Sequence, residues 1–142
     1  MIDHTTGIVS FEHPAVELGP RTTRDEFQSL DIFRDRRTAV DNEPWHSWFL
    51  PPMRAGLLFS VAVFFHGPRL SMIHMEDADD RFGKSWTDFS ERNERARKAS
   101  HDLWLQERCG LAPGTYPWGI VASVFMPRGD STSCIIVRYE LV

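Results

Sequence analysis

The sequence predicts an α+β fold in which an antiparallel sheet of β-hairpins packs against one long amphipathic helix. Two observations carry this prediction. The segment from Ser85 to Gly110 is the one long stretch with a helical period, and the sequence before and after it alternates like strands separated by short turns. At 142 residues, without an internal repeat or a linker, residues 1–142 are expected to form a single domain.

The long helix is predicted over about 86–109. Ser85 with Asp88 three residues later resembles a capping box, and Gly110 tolerates the left-handed conformation that ends many helices. At 100° per residue, the buried face is predicted to hold Trp86, Phe89, Ala96, Ser100, Leu103 and Trp104. The exposed face is predicted to hold Glu91, Glu94, Arg95, Lys98, Asp102 and Gln106.

The N-terminal part contains two short extended pieces, 7–11 and 15–18, which Pro14 separates. A short helix over about 24–30 follows the capping signature that begins at Thr23, with Phe27 and Leu30 directed inward. The cluster of three arginines and one aspartate at 34–37 is interpreted as a solvated face. Turn residues occupy 41–44.

The middle of the chain predicts strands at 45–50, 57–66 and 70–76. The strand at 57–66 is apolar on both faces, which is typical of a central strand, and it turns at 66–69 into an antiparallel hairpin. A second hairpin is predicted from strands at 116–126 and 133–141 around the turn at 127–130.

Composition and simple sequence patterns argue against several classes of protein. A net charge of −4 and a pI near 5.8 argue against a nucleic-acid binder, which needs a basic face. The longest apolar run, 56–65, is too short to cross a membrane, and the N-terminus lacks the pattern of a signal peptide, so a cytoplasmic protein is expected. Cys109 and Cys134 are expected to be reduced, partly buried thiols.

Several short patterns in the second half of the chain resemble a family of small bacterial proteins without an established activity. They are Ser85-Trp86-Thr87-Asp88-Phe89-Ser90-Glu91, His101-Asp102-Leu103-Trp104-Leu105 and Tyr116-Pro117-Trp118-Gly119 before a terminal hairpin. Leu18-Gly19-Pro20 with 23–27 is similar to the start of that family. In size, acidity and aromatic content, the set is also similar to immunity proteins and other partner-binding proteins of bacterial toxin systems.

Catalytic and metal-binding motifs are sparse in the sequence. The histidines show no zinc-ligand spacing, although His66 and His74 could meet across their hairpin, and no serine lies in a GxSxG context. His101 and Asp102 diverge by 100° on the helix and are predicted to be solvated. The acidic run at 76–80 does not match a calcium-binding loop. No cofactor or metal is therefore predicted.

Tryptophans beside prolines and an acidic loop are the best candidates for a functional surface. Trp45, Trp48 and Trp118 lie at predicted strand starts, and tryptophan is enriched among the residues that dominate protein interfaces. Asp77, Asp79 and Asp80 could attract a basic partner surface. The leading hypothesis is a non-enzymatic protein-binding module, with an immunity-type role as one form of it.

Two alternatives stay open. The first is a small-molecule- or metal-binding protein, or an enzyme, with a site between sheet and helix that uses His66 or His74. The second is a homodimer formed through the exposed face of the terminal hairpin.

Overall fold

A large antiparallel sheet dominates the computed structural model, which describes residues 1–83, 89–126 and 132–140. The strands are β1 (Val9–Glu12), β2 (Ala15–Leu18), β3 (Arg37–Asn42), β4 (Trp45–Phe49), β5 (Met53–Ala55), β6 (Leu57–His66), β7 (Arg69–Asp77), β8 (Gly114–Tyr116), β9 (Gly119–Val124) and β10 (Cys134–Tyr139). The helices are α1 (Arg24–Ser29) and α2 (Glu91–Trp104). The structure therefore confirms an α+β fold with a large antiparallel sheet and one long helix.

Strands β1 and β2 pair only with each other, as a separate hairpin. The large sheet has the order β3-β4-β6-β7-β10-β9-β8, and β5 pairs with β6 on the same side as β4. The strand over 57–66 is therefore central, as its two apolar faces predict. The terminal hairpin is present as β9 and β10, while its predicted turn at 127–130 lies outside the described residues.

Two consecutive prolines separate β4 and β5, the two strands that pair with the same side of β6. Strand β4 pairs with residues 62–66 and β5 pairs with residues 57–59, so the two strands lie end to end along one edge. Pro51 and Pro52 separate them. Proline has no N–H to donate to a strand ladder, so the pairing stops there and the sheet is locally open.

One face of the sheet, here named the core face, carries the hydrophobic core. Phe59, Val61, Val63 and Phe65 of β6 point to it and are buried. Phe27 of α1 packs on Phe65 with ring centroids 5.3 Å apart, and Trp104 of α2 packs edge-on against Phe59 at 4.9 Å. Both helices therefore lie on the same side of the sheet.

The long helix begins later than predicted. Ser90 is its N-cap, and the Ser90 hydroxyl accepts a hydrogen bond from the Asn93 backbone N–H at 3.0 Å. The predicted cap residues Ser85 and Asp88, and the predicted core residue Trp86, lie outside the described residues. After Trp104 the helix widens into one π-helical turn, Leu105–Cys109, and Gly110 ends it with φ of 63°, as predicted.

The buried face of α2 is not the predicted one. Glu94, Arg97, His101 and Trp104 are buried, at helical spacing, whereas Ala96 is exposed and Leu103 is 53% exposed. Of the predicted inward residues that the structure describes, Trp104 is buried and Phe89 and Ser100 are half-buried. Polar side chains can occupy the buried face because hydrogen bonds and an ion pair satisfy them there.

The segment after β2 differs in detail from its prediction. Six residues, Arg24–Ser29, are helical, and Thr23 caps them by accepting a hydrogen bond from the Glu26 N–H at 3.1 Å. Phe27 is buried, but Leu30 is exposed and does not point inward. Strands β3, β5 and β8 were not predicted; β3 is exposed along its whole length and so shows no alternation.

Candidate binding face of the sheet

The face of the sheet opposite the core, here named the open face, exposes large apolar side chains. Alternation places the side chains of Trp45 and Phe49 on it, and they are 50% and 47% exposed. Val40 of β3 and Ile120 of β9 point to the same side and are also exposed. Among the described residues, no helix packs on this face. Exposed aromatic side chains on one continuous surface indicate a binding site.

A concave cavity of about 720 Å³ lies on the open face and is here named the hollow. Ala62 of β6 forms its floor, with Phe49 of β4 and His74 of β7 as its direct neighbours across the ladder. Phe64, two residues further along β6, adds a second aromatic wall. A small residue between larger rings leaves the space empty, and the gap made by the double proline opens one side of it.

The polar end of the hollow contains Glu76, Ser60 and Cys134. Ser60 lies opposite Glu76 in the register of β6 and β7. The Glu76 carboxylate accepts no hydrogen bond from the described residues, and Nη1 of Arg97 is 4.0 Å from its Oε2 atom. Burial raises the pKa of Glu76 above its ordinary value, although Arg97 opposes this shift. The hollow therefore presents a partly desolvated carboxylate that, among the described residues, has a long ion pair with Arg97 but no hydrogen-bond donor.

The thiol of Cys134 is held in its neutral form beside Glu76. Burial raises the pKa of Cys134 to about 11, and the negative charge of Glu76 adds to the shift. Both cysteines of the chain are free and half-buried, as predicted. A thiol of this kind is a weak nucleophile, because the thiolate is the reactive form.

Charged residues at the rim of the hollow have opposite signs. Asp35 and Arg37 both line the rim. The Arg37 guanidinium lies over the Phe49 ring, 5.3 Å from its centroid. The Phe49 ring therefore already accommodates one cation.

Behind the hollow, on the core face, a buried polar network joins α2 to the end of β7. The Arg97 guanidinium donates hydrogen bonds to the carbonyls of Asp77 and Phe82, both at 2.9 Å, and its Nε atom is 3.4 Å from Glu94. The Glu94 carboxylate also accepts a hydrogen bond from the Ser133 N–H at 2.5 Å. These contacts explain why two charged residues lie in the interior.

His101 belongs to the same network and is fully buried, which corrects the prediction that it is solvated. Its Nε2 atom accepts the Asp77 N–H at 2.8 Å, so the neutral ring carries its proton on Nδ1, and Nδ1 has no partner among the described residues. Burial lowers the pKa of His101 to about 4. The cavity that forms the hollow is not lined by α2, so this network positions elements instead of facing a ligand.

The three predicted tryptophans lie in different places. Trp45 is exposed on the open face, with its ring edge-on to His66 at 4.6 Å. Trp48 points to the core face and is buried against Phe27, so it is a core residue and does not contact solvent. Trp118 lies at the opposite end of the sheet, where its Nε1 donates to the His4 carbonyl at 2.9 Å. The structure brings none of them together.

The three predicted aspartates also separate. Asp77 is buried, and its carboxylate accepts hydrogen bonds from the Ser100 hydroxyl at 2.7 Å and from the Asp79 N–H at 3.0 Å. Only Asp79 and Asp80 are exposed. Asp77 is therefore structural, because its polar atoms are already used inside the protein.

The other predicted constellations do not form in the part of the chain that the structure describes. His66 pairs with Arg69 and His74 with Ala62, so the two histidines are not cross-strand neighbours. No group of three or more His, Cys, Asp or Glu side chains converges to hold a metal ion within residues 1–83, 89–126 and 132–140.

Across these same residues, the structure contains no helix with the length and hydropathy needed to span a membrane.

Comparisons with known proteins add no further constraint. No protein-family model and no curated protein matches the sequence, and no solved structure matches the fold. The resemblance to a bacterial family therefore stays a prediction. The class that the structure itself defines is an α+β protein with helices on one face of its sheet and an aromatic hollow on the other.

Proposed function

We propose that this chain is a binding module that recognises a partner protein through the open face of its sheet. The observation that supports this proposal is the exposure of Trp45 and Phe49 on one face of β4, with Ser47 between them. Covering half-exposed aromatic side chains removes their apolar surface from water, which is favourable. Such residues contribute most of the binding energy at many interfaces. The double proline and the edge strand β3 shape the surface around them.

A binding role without catalysis fits the chemistry of the groups near the hollow. The Cys134 thiol is protonated at neutral pH, and the imidazole of His101 is enclosed behind the sheet. Neither group is poised as a nucleophile or a base for a substrate on the open face. An immunity-type role, in which the chain inactivates its partner by covering it, is one form of this proposal.

The hollow also supports a second candidate function, the binding of a small molecule. A volume of about 720 Å³ lies within the range of ligand pockets. In that case the ligand would lie on the open face and not between sheet and helix. The interface between the two is occupied by Arg97, His101 and Trp104.

Affinity capture with matched variants tests the proposed function. The purified chain is compared with a Trp45→Ser/Phe49→Ser variant and with a Leu103→Ser control, whose side chain is equally exposed on α2. We expect a protein that the wild-type chain and the control retain in equal amounts, and that the open-face variant retains at least about tenfold less. Circular dichroism establishes that all three chains are folded. Equal retention by all three would overturn the proposal.

A further inference from the structure

The Glu76 carboxylate in the hollow has Arg97 at 4.0 Å and no hydrogen bond from the described residues, and this indicates the chemistry of the group that enters the hollow. Glu76 has a side chain 29% exposed, and none of the described residues donates a hydrogen bond to it. A desolvated carboxylate without donors is unfavourable, and a donor from a ligand removes that cost. Because Glu76 lies at the end of an aromatic cavity, we expect its donor to belong to a group that is apolar or planar where it passes the aromatic walls.

The charges around Glu76 favour a cation over a neutral donor. Glu76, Glu94 and Arg97 together carry two formal negative charges and one positive charge. Arg97 lies closer to Glu94, at 3.4 Å, than to Glu76, at 4.0 Å, and its Nη atoms are engaged by two backbone carbonyls. Asp35 and Arg37 at the rim have opposite signs and cancel, so one negative charge is left over at the polar end of the hollow.

The walls of the hollow suit a guanidinium group in particular. Phe49 and Phe64 flank the space above Ala62, and a planar guanidinium stacks on aromatic rings while it forms two parallel hydrogen bonds to a carboxylate. Arg37 shows the same preference within the chain, since its guanidinium lies over the Phe49 ring.

We propose that the hollow receives an arginine side chain of the partner protein, with its stem along Phe49, Ala62 and Phe64 and its guanidinium on Glu76. This inference rests on the proposed function, because it names the anchor by which the partner would dock on the open face. It also gives the Glu76 carboxylate, which lines the cavity and has only a long ion pair of 4.0 Å with Arg97 among the described residues, a hydrogen-bond donor.

A pair of probes matched in shape but different in charge tests the anchor without knowledge of the partner. N-acetyl-arginine methylamide and N-acetyl-citrulline methylamide have nearly the same shape, but only the first is charged. Each is titrated into the ¹⁵N-labelled chain, and the shifted amide signals are mapped. We expect weak, about millimolar, binding of the arginine probe with shifts at Ala62, Phe64 and His74, and about tenfold weaker binding of the citrulline probe.

Two variants and one control complete the test. Glu76→Gln should abolish the preference for arginine over citrulline, and Ala62→Leu should remove binding of both probes by filling the hollow. Glu107→Gln removes an exposed carboxylate in the π-helical turn after α2 and should bind like the wild type. If wild-type chain does not distinguish the probes, or if the preference survives in Glu76→Gln, the anchor is wrong.

The two proposals fail separately. Capture that depends on Trp45 and Phe49, together with probes that do not bind the hollow, would overturn only the arginine anchor. Selective binding of the arginine probe, together with capture that does not depend on the open face, would overturn the proposed function and leave a cation site.

Discussion

His101 on α2 accepts a hydrogen bond at Nε2 from the backbone N–H of Asp77 on β7, with an N···N distance of 2.8 Å. The neighbouring helix residues Arg97 and Ser100 bind the carbonyl and the carboxylate of the same aspartate. The end of β7 is thereby fixed to one face of α2. Because Glu76 directly precedes Asp77, this junction also positions the polar end of the hollow.

The junction predicts that the stability of the fold depends on pH through His101. Its pKa is lowered to about 4 from the ordinary 6.5, so the unfolded chain takes up a proton before the folded one. The contribution of the neutral His101 to the free energy of unfolding is complete above pH 6.5 and is lost as the pH falls toward 4. The loss amounts to about 2–3 kcal/mol by pH 4.5. Urea denaturation at pH 7.5 and pH 4.5 measures the difference.

The matched variants for this measurement are His101→Gln and His13→Gln. His13 is exposed, and its replacement should leave the pH dependence unchanged. His101→Gln should be less stable at pH 7.5, but its stability should fall less on acidification. An equal loss in His101→Gln and wild type would show that protonation of His101 does not control the junction.

Arg97 and Arg95 should differ sharply in their contribution to stability. Arg97→Met leaves Glu94 without its cation and two backbone carbonyls without donors, which should cost about 3–5 kcal/mol. Arg95→Met removes an exposed pair with Glu91, worth less than about 1 kcal/mol. The free energy of unfolding from denaturant titration separates them, and similar losses would contradict the buried face assigned to α2.

Trp48 and Trp45, on opposite faces of β4, form a second matched pair. Trp48→Ala removes a buried ring that packs on Phe27 and Phe65 and should cost about 3–5 kcal/mol. Trp45→Ala removes a half-exposed ring and should cost about 1 kcal/mol or less. Thermal unfolding distinguishes the two, and a large loss in Trp45→Ala would place Trp45 in the core instead of on a binding face.

Alkylation of Cys134 reports on the charge of Glu76. With its pKa raised to about 11, the thiol should react with iodoacetamide at pH 8 roughly 100-fold more slowly than an ordinary cysteine. Glu76→Gln should accelerate the reaction, because one cause of the raised pKa is removed. Peptide mass spectrometry follows the rate at Cys134, with the denatured chain as the reference. An unchanged rate in Glu76→Gln would indicate that Glu76 is uncharged in the hollow.

The sequence predicted the parts of the fold that depend on backbone pattern. The alternation over 57–66 identified the central strand, and Gly110 identified the end of the helix, because these signals arise from local geometry. Strand β3 gave no such signal, since an exposed edge strand does not need alternating residues.

The buried face of α2 could not be predicted from hydrophobicity. Trp104 lies on the same side of the helix as Glu94, Arg97 and His101. The presence of charged residues at helical spacing from a large apolar one was the only sign in the sequence of this buried face. Their partners are backbone groups at Asp77, Phe82 and Ser133, which are distant in sequence. Hydrophobicity therefore favoured the wrong face.

The hollow was also missed, although its components were visible. Ala62 lies between Ser60 and Phe64 on one face of β6, and the double proline at 51–52 breaks the neighbouring strand. Which residues stand beside Ala62 depends on the register of three strands. That register is a property of the folded sheet and not of any one segment.

The most direct test of the open face is the ¹H–¹⁵N spectrum of the tryptophan indole groups with and without the captured partner. The chain has five tryptophans, and replacement of each by phenylalanine assigns its indole signal. The account predicts that the partner shifts or broadens the Trp45 signal. It predicts that the Trp104 signal, whose N–H donates to the Ala55 carbonyl at 2.6 Å in the core, stays unchanged. Perturbation of Trp118 at the far end of the sheet, with Trp45 unaffected, would contradict it.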